Sequence, residues 1–164
     1  MNLKRLFEIQ KQLDNHIIEN KALQGQDLLD EKVLALKVEL GELANELPEV
    51  FKFWSNKKNN YEKALKEYVD GLHFVLSIGL DHGFHEDLAG LAIESIEWEN
   101  VTVQFLELLR IDWEKYECGE GDYYHSGLEM FLSLGEMLGF TWEQIEQAYL
   151  DKNKVNHERQ ESGY

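Results

Sequence analysis

Apolar residues recur at intervals of three and four through most of the chain, as at Leu36, Leu40, Leu43 and Leu47, and again at Leu65, Tyr68, Leu72 and Val75, up to Gly79. That spacing lines one face of an α-helix, whereas a half-buried strand needs strict alternation over four or more residues. No stretch of strand length alternates in that way. The sequence therefore predicts an all-α fold. It holds one proline and no Ser/Gly-rich or repeated tract that would make a linker, and 164 residues suit a single core. We expect one domain over 1–164.

About six helices are expected, over 2–22, 27–47, 60–82, 86–109, 122–138 and 141–159. Asp27 can cap the second, Pro48 stands where that helix should stop, and Gly83 follows the third. Thr141 with Gln144 three residues on makes a capping box for the last helix, after Gly139 closes the one before. The stretch RIDWEKYECGEG at 110–121 reads as a loop.

Charge narrows the function classes. Thirty-two acidic against sixteen basic side chains give a net charge of −16, which repels a phosphate backbone, so binding to a nucleic-acid polymer is not expected. The opening residues MNLKRLFEIQKQLDNH carry no apolar run of a secretory leader, and no later segment is apolar for a membrane's width. Cys118 is the single cysteine, which excludes an internal disulfide framework and a CxxC site. These features suggest a cytoplasmic protein with no membrane partner.

Glu39 and Glu42 stand three apart, about 60° around a helix axis and hence on one face, and Glu46 follows there. Glu67 and Asp70 repeat the spacing on the next long helix. Paired glutamates are common on solvated faces, but Asp70 lies in YVDGLHFVLSIGL, whose only other polar side chains are His73 and Ser77. A carboxylate there costs several kcal/mol of desolvation unless a positive partner comes from elsewhere. Four such oxygens from two neighbouring helices would make a hard site suited to Mg²⁺, with Mn²⁺ as a substitute.

ELGE at 39–42 followed by EYVD at 67–70 resembles the ExxE…ExxD signature of the all-α nucleoside triphosphate pyrophosphohydrolases, the superfamily of dimeric dUTPases, MazG proteins and dCTPases. FKFWS at 51–55, DGLHF at 70–74 and YLDKNKVNHERQESGY at 149–164 are similar to the dimeric dUTPase branch. The resemblance implies a homodimer around a four-helix core that hydrolyses dUTP, and dUDP as well, to dUMP. It places Glu39, Glu42, Glu67 and Asp70 as metal ligands. One of the first pair would deprotonate the attacking water, Glu39 by preference and Glu42 as the open alternative.

Lys152, Asn156 and Arg159 fall on one helical face in a chain that is otherwise strongly acidic, and a point charge, an amide and a planar fork together suit phosphate oxygens. Basic residues in a last turn also serve a helix dipole without binding anything. The resemblance adds Tyr164 to this phosphate-binding set. It implies base-binding roles for Gln12 and Asn15, three apart on the first helix, and for Trp54, His73 and Phe74, with Trp54 reaching the pocket of a partner chain.

Three other readings compete. The same chemistry could act on another base, as in a dCTPase or a MazG-type enzyme. Asp70-Gly-Leu-His73 and Asp122-Tyr-Tyr-His125 imitate the ligand pairs of di-metal redox bundles. Trp54, Trp98, Trp113 and Trp142 could instead build a sticky face on a non-catalytic interaction module.

Overall fold

The structure, a computed structural model, describes residues 2–88, 92–116 and 123–163. Eight helices form among them: α1 (Leu3–Asn20), α2 (Leu29–Glu46), α3 (Pro48–Phe51), α4 (Tyr61–Asp81), α5 (Phe84–Asp87), α6 (Val101–Arg110), α7 (Tyr124–Met137) and α8 (Trp142–Glu161). No strand forms among the described residues, and Asp112 and Tyr123 make only an isolated bridge. The fold is all-α, as the three–four spacing requires. No described helix is long and apolar enough to cross a membrane.

The centre of the bundle is α4, buried on most of its circumference through Tyr68, Val69, Leu72, His73, Val75, Leu76, Ser77, Ile78 and Gly79. Around it pack α1, α2 and α8, which make the four-helix core, with α7 against a further side. Leu36, Leu40, Leu43 and Leu47, the first periodic set, are all buried. Burying side chains of that size contributes roughly 1.5–3 kcal/mol each against chain entropy. Close approach of α4 to α7 depends on Gly79, because a Cβ there would lie 2.1 Å from the Tyr124 hydroxyl.

The predicted caps are largely present. Thr141 and Gln144 form the capping box, with Gln144 N donating to Thr141 Oγ1 at 3.3 Å and Thr141 N to Gln144 Oε1 at 2.9 Å. Gly83 and Gly139 have φ of +74° and +79°, the left-handed conformation glycine supplies after a helix. Asp27 acts one residue further out than expected, accepting from Leu29 N at 3.2 Å while Leu28 occupies the cap position. Pro48 does more than stop α2, since it opens the short α3.

The expected single helix over 86–109 is corrected. Helix α5 ends at Asp87, residues 92–98 have no regular structure, and α6 begins only at Val101, capped by the Asn100 side chain on Val103 N at 3.0 Å. Side chains satisfy the backbone that a helix would otherwise pair. Glu94 N donates to Glu129 Oε1 at 2.8 Å and Ile96 N to Ser133 Oγ at 3.0 Å, both acceptors on α7. Gln104, fully buried, accepts from Trp98 N and donates to the carbonyls of Ile96 and Met130, all at 2.8 Å. Ile93 and Ile96 keep helical spacing and still pack on the core from this strap, so apolar spacing alone misleads there. Division at 92–100 and the short α3 raise the count from about six helices to eight.

Candidate functional site

Four helices supply the walls of a cavity of about 180 Å³. From α4 come Asp70, His73, Phe74 and Ser77, spaced three, four and seven apart and therefore on one face. Helix α1 presents Gln10, Leu13, Asp14 and Ile17 by the same spacing, α8 presents Lys152, Asn156 and Arg159, and α2 contributes Glu39. The end of α8 is held on α1 by His16 and His157, whose rings stack at 5.0 Å with their Nδ1 atoms 2.7 Å apart.

Glu39, Glu67 and Asp70 each offer a carboxylate oxygen, and the three atoms lie within 4.8 Å of one another. Burial, reinforced by Asp70, Glu42 and Glu67, pushes the Glu39 carboxyl up to about 7, and Lys152 opposes the shift. Burial likewise raises Glu67, followed by the charges of Asp70 and Glu42. Lys152 Nζ donates to Asp70 Oδ2 at 2.5 Å, which supplies the positive partner that the α4 sequence lacks. One lysine does not finish the task. Asp70 Oδ1 and Glu39 Oε2 remain buried without a hydrogen-bond partner, and unpaired buried oxygens of this kind mark a place for a cation. The carboxylate set fits a hard divalent metal.

A hydrogen-bonded chain joins α1, α4 and α8 at the cavity. Ser77 Oγ donates to Asp14 Oδ2 at 2.7 Å, and Gln10 Nε2 donates to Asp14 Oδ1 at 2.7 Å. Gln10 Oε1 accepts from Tyr149 Oη at 2.8 Å and lies 2.7 Å from His73 Nδ1. Tyr149 also stacks on the His73 ring, with centroids 4.2 Å apart. Burial, helped by the Lys152 charge, drives His73 down to about 3, so its ring is neutral at physiological pH.

Of the residues singled out in the sequence, Glu39, Asp70, His73, Phe74, Lys152, Asn156 and Arg159 meet at this cavity, and Glu67 joins its carboxylate cluster. Glu42 is exposed one turn further along α2, in a shallow groove with Glu46 and Glu67, and reaches Glu39 only through its charge. Gln12 and Asn15 are exposed and do not line the cavity, because Leu6, Phe7 and Leu13 fix the inner face of α1 and turn those two positions outward. Trp54 is 68% exposed beyond α3, its ring edge-on to Phe53, and does not reach the cavity of its own chain. Tyr164 lies outside the described residues, as do Cys118 and Asp122.

Sequence reasoning missed Gln10, Asp14 and Ser77. A signal for the first existed: Gln10 falls inside the apolar stripe of α1, three residues after Phe7 and three before Leu13, and is only 3% exposed. Of the second half of the redox pattern, His125 does not line the cavity. His125 stands on α7 beside Glu129, 3.3 Å from its carboxylate. The four tryptophans form no common face, since Trp113 is fully buried and Trp142 is packed against the core.

A family model described as dUTPase matches residues 2–164. No curated protein matches the chain.

Proposed function

Given that the chain belongs to the all-α dUTPase family and hydrolyses dUTP, we propose that it does so with Mg²⁺ at Glu39, Glu42, Glu67 and Asp70, releases dUMP and pyrophosphate, and also accepts dUDP. The observation that carries this reading is the clustering of Glu39, Glu67 and Asp70 oxygens, two of the buried ones unpartnered, at a cavity that Lys152, Asn156 and Arg159 also line. Carboxylates and cationic side chains lining one space suit a metal together with phosphate oxygens. When bound, the metal neutralises phosphate charge and lowers the pKa of water.

This chain's residues supply the remaining steps. Glu39 takes a proton from the attacking water, with Glu42 as the alternative base. Attack at the β-phosphorus breaks its bond to the oxygen bridging the α-phosphorus. Lys152 and Arg159 then hold the charge that develops on the phosphates, Asn156 adds an amide donor, and Tyr164 joins them from the chain's end. His73 and Phe74 form the base side, with Phe74 as the flat wall and Gln10 and Asp14 in place of Gln12 and Asn15.

The protein works as a cytoplasmic homodimer of one domain per chain. Exposed Phe53 and Trp54, together with Leu34 and Val38 on the outer side of α2, support an apolar face for a second copy. Trp54 completes the partner's pocket.

A nucleotide panel of dUTP, dUDP, dCTP, dTTP and UTP, with and without Mg²⁺, tests the reading. Turnover of dUTP and dUDP is expected only with the metal. Glu39→Gln and Asp70→Asn should each lower turnover at least about 100-fold. Wild-type turnover by either variant in Mg²⁺ would remove that residue from the mechanism.

A further inference from the structure

The buried residues of α8, Ile145, Tyr149 and Asn153, all precede its last turns, yet those turns carry Asn156 and Arg159 to the cavity. About two turns of helix beyond the last buried side chain fray unless something else fixes them. Here α1 meets them. Asn20 Nδ2 donates to the Gln160 carbonyl at 3.3 Å, and His16 faces His157. The two rings lie 23° from parallel with centres 5.0 Å apart, while their Nδ1 atoms are 2.7 Å apart, so each ring turns that nitrogen toward the other. A contact this short needs one Nδ1 to carry a hydrogen and the other to present its lone pair. Burial, followed by the charge of His16, lowers His157 from its ordinary 6.5, with Glu161 opposing, so its ring is neutral at physiological pH and able to take either role. Neither histidine lines the cavity.

We propose that His16 is a positioning residue for the reaction: by hydrogen bonding to His157 it fixes the end of α8, so that Asn156 and Arg159 keep their place at the phosphates. The inference rests on the dUTPase reading and deepens it, by naming what holds that grip. The link is rotational. His157 stands about 100° around the helix axis from Asn156, and Arg159 about 60° from Asn156 on the other side, so a side chain pinned to α1 sets the direction of both. Releasing the pin loosens the groups that meet phosphate. It leaves in place the carboxylates on α2 and α4, and His73 and Phe74 on α4.

On the unaltered chain labelled with ¹⁵N-histidine, a coupling should pass between the two Nδ1 nuclei across the hydrogen bond; its absence in the folded protein at neutral pH overturns the proposal without any variant. His16→Phe keeps a flat ring and removes both nitrogens. Amide protection in hydrogen exchange should then fall at residues 158–161 while it is kept at Tyr149. KM for dUTP should rise about fivefold or more, with kcat within about twofold of the unaltered protein. The inhibition constant of dUMP, which lacks the β- and γ-phosphates, should move less than KM does. His16→Asn sets an amide close to where Nδ1 stood, able to donate or accept, and should restore the protection and most of the affinity. An unchanged KM in His16→Phe, a dUMP constant that moves as far as KM, or equal losses in His16→Phe and His16→Asn while each melts cooperatively, overturns the proposal. Failure of the unaltered protein to hydrolyse dUTP would instead sink the functional reading, and the coupling and exchange results would stand apart from it.

Discussion

Lys152 on α8 and Asp70 on α4 form a charged pair 2.5 Å long, and both side chains are largely withdrawn from water. The carboxylate sits on α4, the helix against which α1, α2 and α8 pack, and its neutralising charge arrives from a helix more than eighty residues later in the chain. The pair therefore couples the docking of α8 to the electrostatics of the carboxylate cluster. Lys152 also acts on Glu39, Glu67 and His73.

Removing the lysine should expose that coupling. Without divalent metal, Lys152→Met leaves Asp70 buried beside Glu39 and Glu67 with no counter-charge, a change expected to cost about 1–3 kcal/mol, below the range for fully buried pairs because Lys152 is partly solvated. Urea unfolding in chelator should show this loss. In Mg²⁺ the difference should shrink, since a metal at the carboxylates supplies the missing charge, while KM for dUTP rises. Equal losses in the two conditions would separate the lysine from the metal site.

The pH dependence of Glu39 has a definite sign. Its folded carboxyl titrates at about 7 against an ordinary 4.5, so the folded state keeps a proton that the unfolded chain releases between those values. The contribution is complete below pH 4.5 and is lost as pH rises through 7. His73, lowered to about 3 from 6.5 by burial, acts in the opposite direction: its neutral form favours the fold above 6.5, and that advantage falls away as the pH drops toward 3. The two overlap, so the informative quantity is the stability of wild type minus that of Glu39→Gln, in which His73 cancels. In chelator this difference should fall by about 1–2 kcal/mol from pH 4.5 to 7.5, after discounting for a side chain that is only half buried. A flat difference would show that Glu39 titrates normally.

Much of this was legible in the sequence where one residue type served one purpose. Asp70 beside Val69 and Leu72 announced a buried charge, and the cationic face of Lys152, Asn156 and Arg159 meets it at the cavity. The sequence did not disclose which helix would supply the counter-charge, because side-chain pairing across α4 and α8 leaves no local pattern. The family resemblance put base-binding roles on Gln12 and Asn15, whereas the rotation of α1 is set by Leu6, Phe7 and Leu13 and brings Gln10 and Asp14 to the cavity. The 92–100 strap was hidden for a related reason: Glu129, Ser133 and Gln104, which replace its helical hydrogen bonds, lie at later positions in the chain.

That strap should be the part most sensitive to Gln104. Gln104→Met keeps nearly the same volume but strips partners from Trp98 N–H and from the carbonyls of Ile96 and Met130. Leaving such groups unsatisfied in a fully buried place costs about 1–3 kcal/mol. Hydrogen exchange should report it locally, with amide protection at Trp98 lost while protection along α4 is retained. Uniform loss across both would mean that the glutamine supports the whole bundle.

The contact of α4 with α7 gives a final prediction with its own control. Tyr124 is fully buried and donates its hydroxyl to the Val75 carbonyl at 3.0 Å, so the ring crosses α4 above Gly79. An alanine Cβ there would lie 2.1 Å from the hydroxyl, 2.6 Å from Cζ and 2.9 Å from Phe7 Cε1. Tyr124 has little room to retreat, being packed against Phe84 and Trp113. Overpacking of this kind costs about 1–3 kcal/mol or more, and the better helix propensity of alanine returns at most about 1. Gly79→Ala should therefore lower stability by about 2 kcal/mol in urea unfolding, and adding Tyr124→Phe should recover part of the loss by removing the closest atom. Gly41, in α2, has nothing within 4 Å of an added Cβ and no positive φ. Gly41→Ala should therefore raise stability by about 0.5–1 kcal/mol. If both substitutions stabilised the protein, the close approach of Tyr124 to α4 would not be setting the spacing of these helices.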